Sequence, residues 1–219
     1  MRLRTIGRLI AVPAIVIAVI ACSAVTPAVP SPTQEASLER FIAQLNRDLD
    51  RDYTPITGAD DAARRADLIV LGKITNVSEG IEISGPEGLW NVMLNLEVRV
   101  QRVLSGPGDR ADQLIHVQVF ASPSLKMNEL AASLPPSRVV FVLDDITRWT
   151  PFPDAIVAYP RGLVEGDTLY TPYVDGVVFD DSSETRHLYL NEADATAAWT
   201  GAVSFDDLVA KVEAAGSSR

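Results

Sequence analysis

A run of alternating apolar residues in the middle of the chain constrains the fold most strongly. In WNVMLNLEVRVQ, residues 90–101, apolar side chains recur at every second position with mostly polar residues between them. Because successive side chains of a β-strand point to opposite faces, this pattern predicts a strand with one buried face. The predicted buried face consists of Trp90, Val92, Leu94, Leu96, Val98 and Val100.

Apolar runs on both sides of residues 90–101 predict further strands. ADLIVLGKITNV, from Ala66, predicts a first strand, in which Gly72 marks a bend or a bulge. QLIHVQVF predicts a third strand, and RVVFVLDD, which is apolar on both sides, predicts a central fourth strand. Beyond it, Gly-Asp and Asp-Gly turns are expected to separate IVAYPRGLV, DTLYTPYV and GVVFDD into short strands.

Helical patterns flank the predicted strands. EASLERFIAQLNRDLD carries an apolar stripe with helical spacing, and KMNELAASL predicts a short helix between the third and fourth strands. Near the C-terminus, NEADATAAW predicts a helix from Asn191, and SFDDLVAKVEAA predicts one with Ser204 as its N-cap and Asp207 completing a near capping box. The stripe of the N-terminal helix consists of Leu38, Phe41, Ile42, Leu45 and Leu49.

The order of these elements predicts an α+β fold that is mainly β. A helix between the third and fourth strands is typical of a small OB-like β-barrel, here with flanking N- and C-terminal helices. We expect the barrel core at about residues 66–181, within a single globular domain spanning 35–219. Residues 1–21 are predicted to be a lipoprotein signal peptide, and residues 22–34 a flexible tether rich in Pro, Ser and Thr.

Three segments of the barrel resemble a known family. ADLIVLGKI, VQRVLSG and RVVFVLDD are similar to the small secreted barrels of the netrin-like and tissue-inhibitor-like kind, over roughly Ala66 to Asp181. The resemblance implies an OB-like barrel and leaves an inhibitor-like domain as one hypothesis. Tissue inhibitors use an N-terminal cysteine to reach a protease zinc, whereas this predicted domain contains no cysteine and therefore no disulfide.

The single cysteine of the chain lies at the end of an N-terminal apolar run. Arg2, Arg4 and Arg8 precede thirteen uncharged residues, an order typical of a secretory signal. Val19 to Cys22, VIAC, resembles the lipobox of bacterial lipoproteins. The resemblance implies that Cys22 is the lipidated first residue of the mature chain, anchored to the extracytoplasmic face of the bacterial cell membrane. An ordinary signal or an uncleaved anchor with an incidental cysteine is the alternative.

The charge of the chain limits its partners. Residues 1–21 carry three of the 19 basic residues and no acid, so 16 basic and 29 acidic residues remain after cleavage, a formal net charge of −13. A domain this acidic is a poor partner for nucleic acid, whose phosphates require a basic surface. We therefore expect contact with the membrane through the lipid anchor alone, and an unknown protein or glycan as the partner.

The sequence contains few signals of catalysis. His116 and His187 lack the close spacing of zinc ligands, and the glycine motifs of nucleophile elbows and phosphate loops are absent from the sequence. No catalytic residue, metal or cofactor is predicted. The acids at 175–184 leave open a calcium site, and distant residues leave open an extracytoplasmic hydrolase.

Two aromatic residues follow the predicted fourth strand, in ITRWTPFPD. Trp149 and Phe152 flank Thr-Pro in a loop that belongs to the usual binding surface of OB-type barrels. They could stack on a sugar ring or grip a protein partner, or they could plug the barrel end. We favour a surface-anchored, non-enzymatic binding or interaction module, in which Trp149 and Phe152 contact the ligand.

The lipobox interpretation predicts the effect of replacing Cys22. Without the sulfur, no diacylglyceryl group can be attached, so Cys22→Ala should be released from membranes by an alkaline wash that leaves the parent bound. Fractionation of cells expressing either protein measures this. Equally firm retention of both proteins would show that an uncleaved helix, not a lipid, holds the chain.

Overall fold

The computed structural model describes residues 32–46, 53–122, 124–149, 151–160, 162–163, 166–181, 184–189 and 201–218. Several sequence predictions lie outside these residues. They are the signal peptide, lipidation of Cys22, most of the tether, the burial of Leu49 and the helix from Asn191.

Five strands close into a ring, which confirms the predicted α+β fold with an OB-like barrel. In ring order they are β1 (Leu68–Gly85), β2 (Gly88–Ser105), β3 (Leu114–Phe120), β6 (Leu169–Asp181) and β4 (Val139–Asp145), which pairs again with β1. All of these pairs are antiparallel except β3–β6, which is parallel. Two short strands extend the sheet: β5 (Ile156–Ala158) pairs with β1, and β7 (Glu184–His187) pairs with β6.

Helices cover the barrel on two sides. The N-terminal helix α1 (Pro32–Leu45) and the short α3 (Met127–Ala132) join the core inside the barrel. Within that core, the rings of Phe41 and Phe179 meet edge to face at 6.2 Å. The stripe predicted for α1 is confirmed by the burial of Leu38, Phe41 and Leu45 and the packing of Ile42 against the same core.

A second apolar layer lies outside the barrel. The outward side chains of β1, β4 and β6 pack against α2 (Ala59–Arg65) and the C-terminal helix α4 (Phe205–Gly216). β4 is apolar on both sides for this reason: Phe141 faces the barrel interior, whereas Val140 and Val142 lie beneath the helices. α4 begins as predicted, because the Ser204 side chain accepts a hydrogen bond from the Asp207 backbone N–H.

The hairpin of β1 and β2 is longer than the sequence predicted. Partway along its length, the side chains that it buries change from the barrel core to a separate cluster. Leu94, Leu96, Val98 and Val100 lie in the barrel core as predicted. Trp90 and Val92 do not: they are exposed, so the prediction of one continuous buried face is wrong at that end. There β1 is buried through Ile81 and Ile83, which form a small separate cluster with the connection between β4 and β6.

A second correction concerns Asp175-Gly176, which was expected to form a turn between two strands. β6 runs through both residues as one strand with an irregular register opposite β4. Gly176 fits because a Cβ at this position would lie 2.8 Å from Cβ of Val142. The Asp175 carboxylate accepts a hydrogen bond from the backbone N–H of Ile56, at 2.7 Å. The Asp-Gly pair therefore serves packing inside the fold and does not reverse the chain.

A buried chain of side-chain amides marks the point where the hairpin changes its packing. The Gln118 carbonyl accepts a hydrogen bond from the backbone N–H of Ile81 at 3.0 Å, and its NH₂ donates to Asn95 Oδ1 at 2.9 Å. Asn95 in turn donates to the Ser78 hydroxyl. β1 has a register shift between Glu79 and Glu82, so these side chains satisfy polar groups that regular strand pairing leaves free there.

Gly80 lies against this amide chain and has no room for a side chain. An added Cβ would be 2.5 Å from Gln118 Oε1 and 2.6 Å from the Met93 carbonyl oxygen. We predict that Gly80→Ala lowers the free energy of unfolding by about 1–3 kcal/mol or more, the usual cost of overpacking. Chemical denaturation measures this, with Gly58→Ala as the control because nothing lies within 4 Å of a Cβ there. Equal stability of the two variants would contradict the packing described for Gly80.

Candidate functional site

Strand pairing brings the β1–β2 hairpin and the connection between β4 and β6 together. The far end of β1 pairs with β5, with Glu82 opposite Ala158 and Ser84 opposite Ile156. This pairing fixes the β1–β2 hairpin against the connection between β4 and β6. In OB-type barrels, the corresponding two loops and the neighbouring strands form the usual binding surface.

Four aromatic side chains gather where these regions meet, and we call them the aromatic face: Trp90, Phe120, Trp149 and Phe152. The Trp90 ring contacts Phe152 edge to face at 5.7 Å and Phe120 at 6.5 Å. Such contacts stabilise aromatic pairs by about 0.5–1.5 kcal/mol beyond the area they bury. Trp90 nevertheless keeps 57% of its surface exposed, so it is held in place while remaining accessible.

The two aromatics predicted as ligand contacts lie in different environments. Trp149 is 38% exposed and follows a turn in which its backbone N–H donates to the Ile146 carbonyl. Phe152 is half-buried and packs on the small cluster beside the hairpin, and Gly85 leaves room for its ring. Phe152 therefore packs between Trp90 and the small cluster, whereas Trp149 keeps an accessible surface. Trp90 was missed as a site residue because its alternation with Val92 and Leu94 predicted burial.

A cavity of about 480 Å³ opens beside Trp149, and we call it the barrel-mouth cavity. Its walls come from the end of α2 and the residue before β1, from β2, from the ends of β3 and β4 with the loop that follows β4, and from the start of β6. Antiparallel pairing of β1 with β4 places Asp67 beside the end of β4, where its carboxylate accepts a hydrogen bond from the Asp145 backbone N–H. The lining residues are Arg65, Asp67, Met93, Phe120, Asp144, Asp145, Ile146, Trp149, Thr171 and Tyr173.

The charged groups of the barrel-mouth cavity perturb one another. Burial raises the pKa of the Asp144 carboxyl, and the nearby Asp67 charge adds to this, while a hydrogen bond from the Tyr173 hydroxyl and the charge of Arg65 oppose it. Burial and the Asp144 carboxylate raise the pKa of Tyr173 to about 12. Tyr173 is therefore neutral at any physiological pH, and its one hydroxyl proton serves either the Arg65 backbone carbonyl oxygen, 3.2 Å away, or the Asp144 carboxylate.

Arg65, the basic residue of the cavity lining, is engaged with its own chain segment. Its guanidinium donates to the carbonyl oxygens of Thr54 and Pro55 and forms an ion pair with Asp61. It also lies 4.9 Å above the Tyr173 ring, in a cation–π contact. Arg65 thus fixes residues 54–61 beside the cavity, and it shares the Asp61 carboxylate with Arg64.

A second cavity, of about 460 Å³, lies along residues 89–94 of β2 and is mainly apolar. Trp90 lines it, and Met93 lines both cavities and so separates them. Its lining residues are Glu79, Leu89, Trp90, Asn91, Val92, Met93, Leu94, Ala121, Ser122, Leu125 and Met127. The aromatic face therefore borders two adjoining concave surfaces, one polar and one apolar.

The histidines and the acids at 175–184 lie apart from the two cavities. Neither His116 nor His187 lines them, and burial lowers the pKa of His187. Asp180 forms an ion pair with Arg138, and Asp181 one with Arg186. Among the described residues, no three His, Cys, Asp or Glu side chains are grouped so that they could hold a metal ion.

The part of the chain that the structure describes has no helix both long and apolar enough to cross a membrane. Comparison with known proteins gives no relative: no family model matches the chain, and searches of curated proteins and of solved structures find no significant match.

The stability contributed by Asp175 should depend on pH. Its carboxylate accepts a hydrogen bond from the Ile56 backbone N–H, and the neighbouring Pro55 carbonyl accepts one from Arg65. Burial raises the pKa of the Asp175 carboxyl. A raised pKa means that this group stabilises the fold below its unfolded value of 3.8, and that the contribution is lost as pH rises through the folded value. Relative to the parent, Asp175→Asn should therefore be more stable at pH 7 than at pH 4.

Urea unfolding of both proteins at the two pH values measures this difference. Asp60→Asn, at an exposed acid of α2, controls for the loss of one negative charge. Two results would contradict the prediction. One is the same difference in unfolding free energy between Asp175→Asn and the parent at both pH values, and the other is a difference that favours the parent more at pH 7 than at pH 4.

Proposed function

We propose that this protein is a lipid-anchored extracytoplasmic lipoprotein of bacteria, and that its barrel is a non-enzymatic binding module. The ligand contacts the aromatic face and enters the barrel-mouth cavity. The observation that carries the proposal is that two accessible tryptophans from distant parts of the chain lie around Phe120: Trp149 lines that cavity together with Phe120, and Trp90 contacts the Phe120 ring from outside it.

The position and exposure of these side chains favour recognition. Exposed large apolar side chains that cluster in a soluble domain commonly mark binding sites, and tryptophan is enriched among residues that dominate binding energy. Leu89, Trp90 and Ile156, all more than half exposed, lie on the same hairpin and its β5 neighbour. The chain is strongly acidic, so charged residues already keep its surface hydrated. An exposed apolar patch on such a chain is best explained by binding.

The composition of the cavity supports binding over catalysis. Its carboxylates and aromatic rings are typical groups for orienting a ligand. Thr171 supplies a hydroxyl to the lining, and that hydroxyl donates to the backbone carbonyl oxygen of Gln118, so it is not activated by a base. The Tyr173 hydroxyl lies beside the Asp144 carboxylate in the lining, but the pKa of Tyr173 is raised to about 12, so this hydroxyl is not an activated nucleophile.

The N-terminal segment supports the anchoring part of the proposal. The lipobox-like VIAC precedes a proline-rich stretch that ends near the start of α1. The composition of this stretch, rich in Pro, Ser and Thr, is typical of a linker between an anchor and a folded domain. Repulsion between anionic lipid headgroups and the acidic domain would favour separation of the domain from the membrane surface.

The double variant Trp90→Ala/Trp149→Ala tests the binding module. We expect it to lose binding on a glycan array or to a partner captured from cell-wall extract, because the accessible rings would be gone. Its free energy of unfolding should fall by only about 1–2 kcal/mol, mainly from the lost Trp90 ring contacts. Val203→Ser removes an exposed apolar side chain next to α4 and should behave like the parent in both assays.

Two outcomes would contradict the proposal. Undiminished binding by the double variant would show that the aromatic face does not recognise the ligand. A loss of stability of about 3–5 kcal/mol would show that the tryptophans are core residues whose truncation opens the barrel end.

A further inference from the structure

We infer that the barrel-mouth cavity binds an organic ammonium cation, with the charged nitrogen facing Asp67, Asp144 and Asp145 and the apolar body against Trp149. The inference rests on the proposed function of the barrel as a binding module and specifies the chemistry of its ligand. It is carried by the combination of cavity size, aromatic wall and charge, each described below.

The size and walls of the cavity suit one small ligand or one long side chain. A volume of about 480 Å³ lies within the range of small-molecule sites. Trp149 and Phe120 provide two aromatic surfaces, and Met93 and Ile146 provide an apolar base. Such walls favour a ligand whose body is a ring or an alkyl chain, and aromatic faces also attract cations.

The net charge of the lining determines whether the cavity favours a positively or a negatively charged ligand. Three carboxylates and one guanidinium line the cavity, a formal sum of −2. The guanidinium belongs to Arg65, which is already paired with Asp61 and bonded to two backbone carbonyls. An anionic ligand would therefore meet net repulsion, and a neutral ligand would leave the carboxylates uncompensated in a partly buried space.

The carboxylates keep acceptor capacity for a ligand. Asp67 accepts from the Asp145 backbone N–H through Oδ2, and Asp145 accepts from the Thr147 backbone N–H through Oδ1. Since an ionised carboxylate can accept about four hydrogen bonds, both side chains have lone pairs left. These internal bonds also fix the orientation of the two groups before a ligand arrives, which lowers the entropy lost on binding.

The positive charge of the ligand would also interact with Asp144, the most buried of the three cavity acids. Its pKa is raised by burial and by the Asp67 charge, and the Tyr173 hydrogen bond and the Arg65 charge compensate its ionised form only in part. An ammonium group beside it would add to that compensation. The cavity therefore gains most from a ligand that combines one positive charge with an apolar body, as an amino sugar or a lysine side chain does.

Calorimetric titration of the full-length lipoprotein in non-ionic detergent tests the inference with two pairs of probes. Glucosamine is compared with N-acetylglucosamine, and Nα-acetyl-lysine amide with its Nε-acetylated form. Within each pair, acetylation removes the positive charge of the amine and adds an acetyl group. We expect at least one amine to bind and its acetylated partner to bind about tenfold more weakly or not at all. The pair that binds more tightly distinguishes a glycan source of the amine from a peptide source.

Three variants assign the binding to the cavity. Asp67→Asn and Asp145→Asn should each weaken the amine about fivefold to tenfold, since both acids are exposed at the cavity and asparagine can still accept the internal backbone hydrogen bond. Asp60→Asn removes an equally exposed charge outside the lining and should bind like the parent. Higher salt should weaken the parent more than the two cavity variants.

Several results would overturn the inference. They are the absence of binding by both amines at millimolar concentration, equal binding of the amine and its acetylated partner, and equal binding by the parent and the two cavity variants. If binding to the array or extract still depends on Trp90 and Trp149 in any of these cases, the proposed binding module stands and only the ligand class is wrong. If that dependence is also missing, the proposed function fails independently.

Discussion

The buried side chain of Gln118 forms the interaction on which the rest of the site depends. From β3 it accepts a hydrogen bond from the Ile81 backbone N–H of β1 and donates one to Asn95 of β2. An amide left unpaired in this position would cost about 1–3 kcal/mol of stability. Gly80 lets the backbones of β1 and β2 approach closely enough for these hydrogen bonds, because it has no side chain. At this point β1 leaves the barrel core and begins to pack, through Ile81 and Ile83, on the loop side.

The path of the hairpin beyond Gln118 determines the geometry of the site. It allows β1 to pair with β5, and so places the β1–β2 hairpin against the connection between β4 and β6. Trp90 can then lean on Phe152 and Phe120, and Met93 can separate two adjoining cavities. On the other side of the barrel mouth, Asp175 and Asp61 hold residues 56 and 57, and Arg65 completes the wall. The site is therefore assembled from well-separated segments that packing holds in place.

Local pattern was sufficient to predict most of the fold. β3, β4 and α4 follow from alternation and from the Ser204 cap, and the strand–strand–strand–helix–strand order indicated the closed OB-like ring. The exposure of Trp90 and Val92 could not be predicted, because it depends on a register shift and on pairing with β5, about 70 residues away. The continuity of β6 through Asp175 likewise depends on a partner, Ile56, that is remote in sequence.

The candidate site was only partly accessible to sequence reasoning. Trp149 could be predicted because an aromatic residue in a proline-containing loop is unusual, but its fellow tryptophan was assigned to the core. Asp67, Asp144 and Asp145 attracted no functional prediction, although each lies at an end of a predicted strand. Their convergence could have been inferred if β1 and β4 had been recognised as antiparallel neighbours, since the start of one then lies beside the end of the other.

The central claim is that residues from distant regions of the chain come together to form the aromatic face. Nuclear Overhauser contacts measured by NMR test it most directly, with the indole protons of Trp90 assigned by comparison with Trp90→Phe. The account predicts cross-peaks from the Trp90 indole to the rings of both Phe120 and Phe152, whose centroids lie 6.5 Å and 5.7 Å away. Cross-peaks confined to neighbours on the β1–β2 hairpin would contradict it, because the two regions would then not form a shared surface.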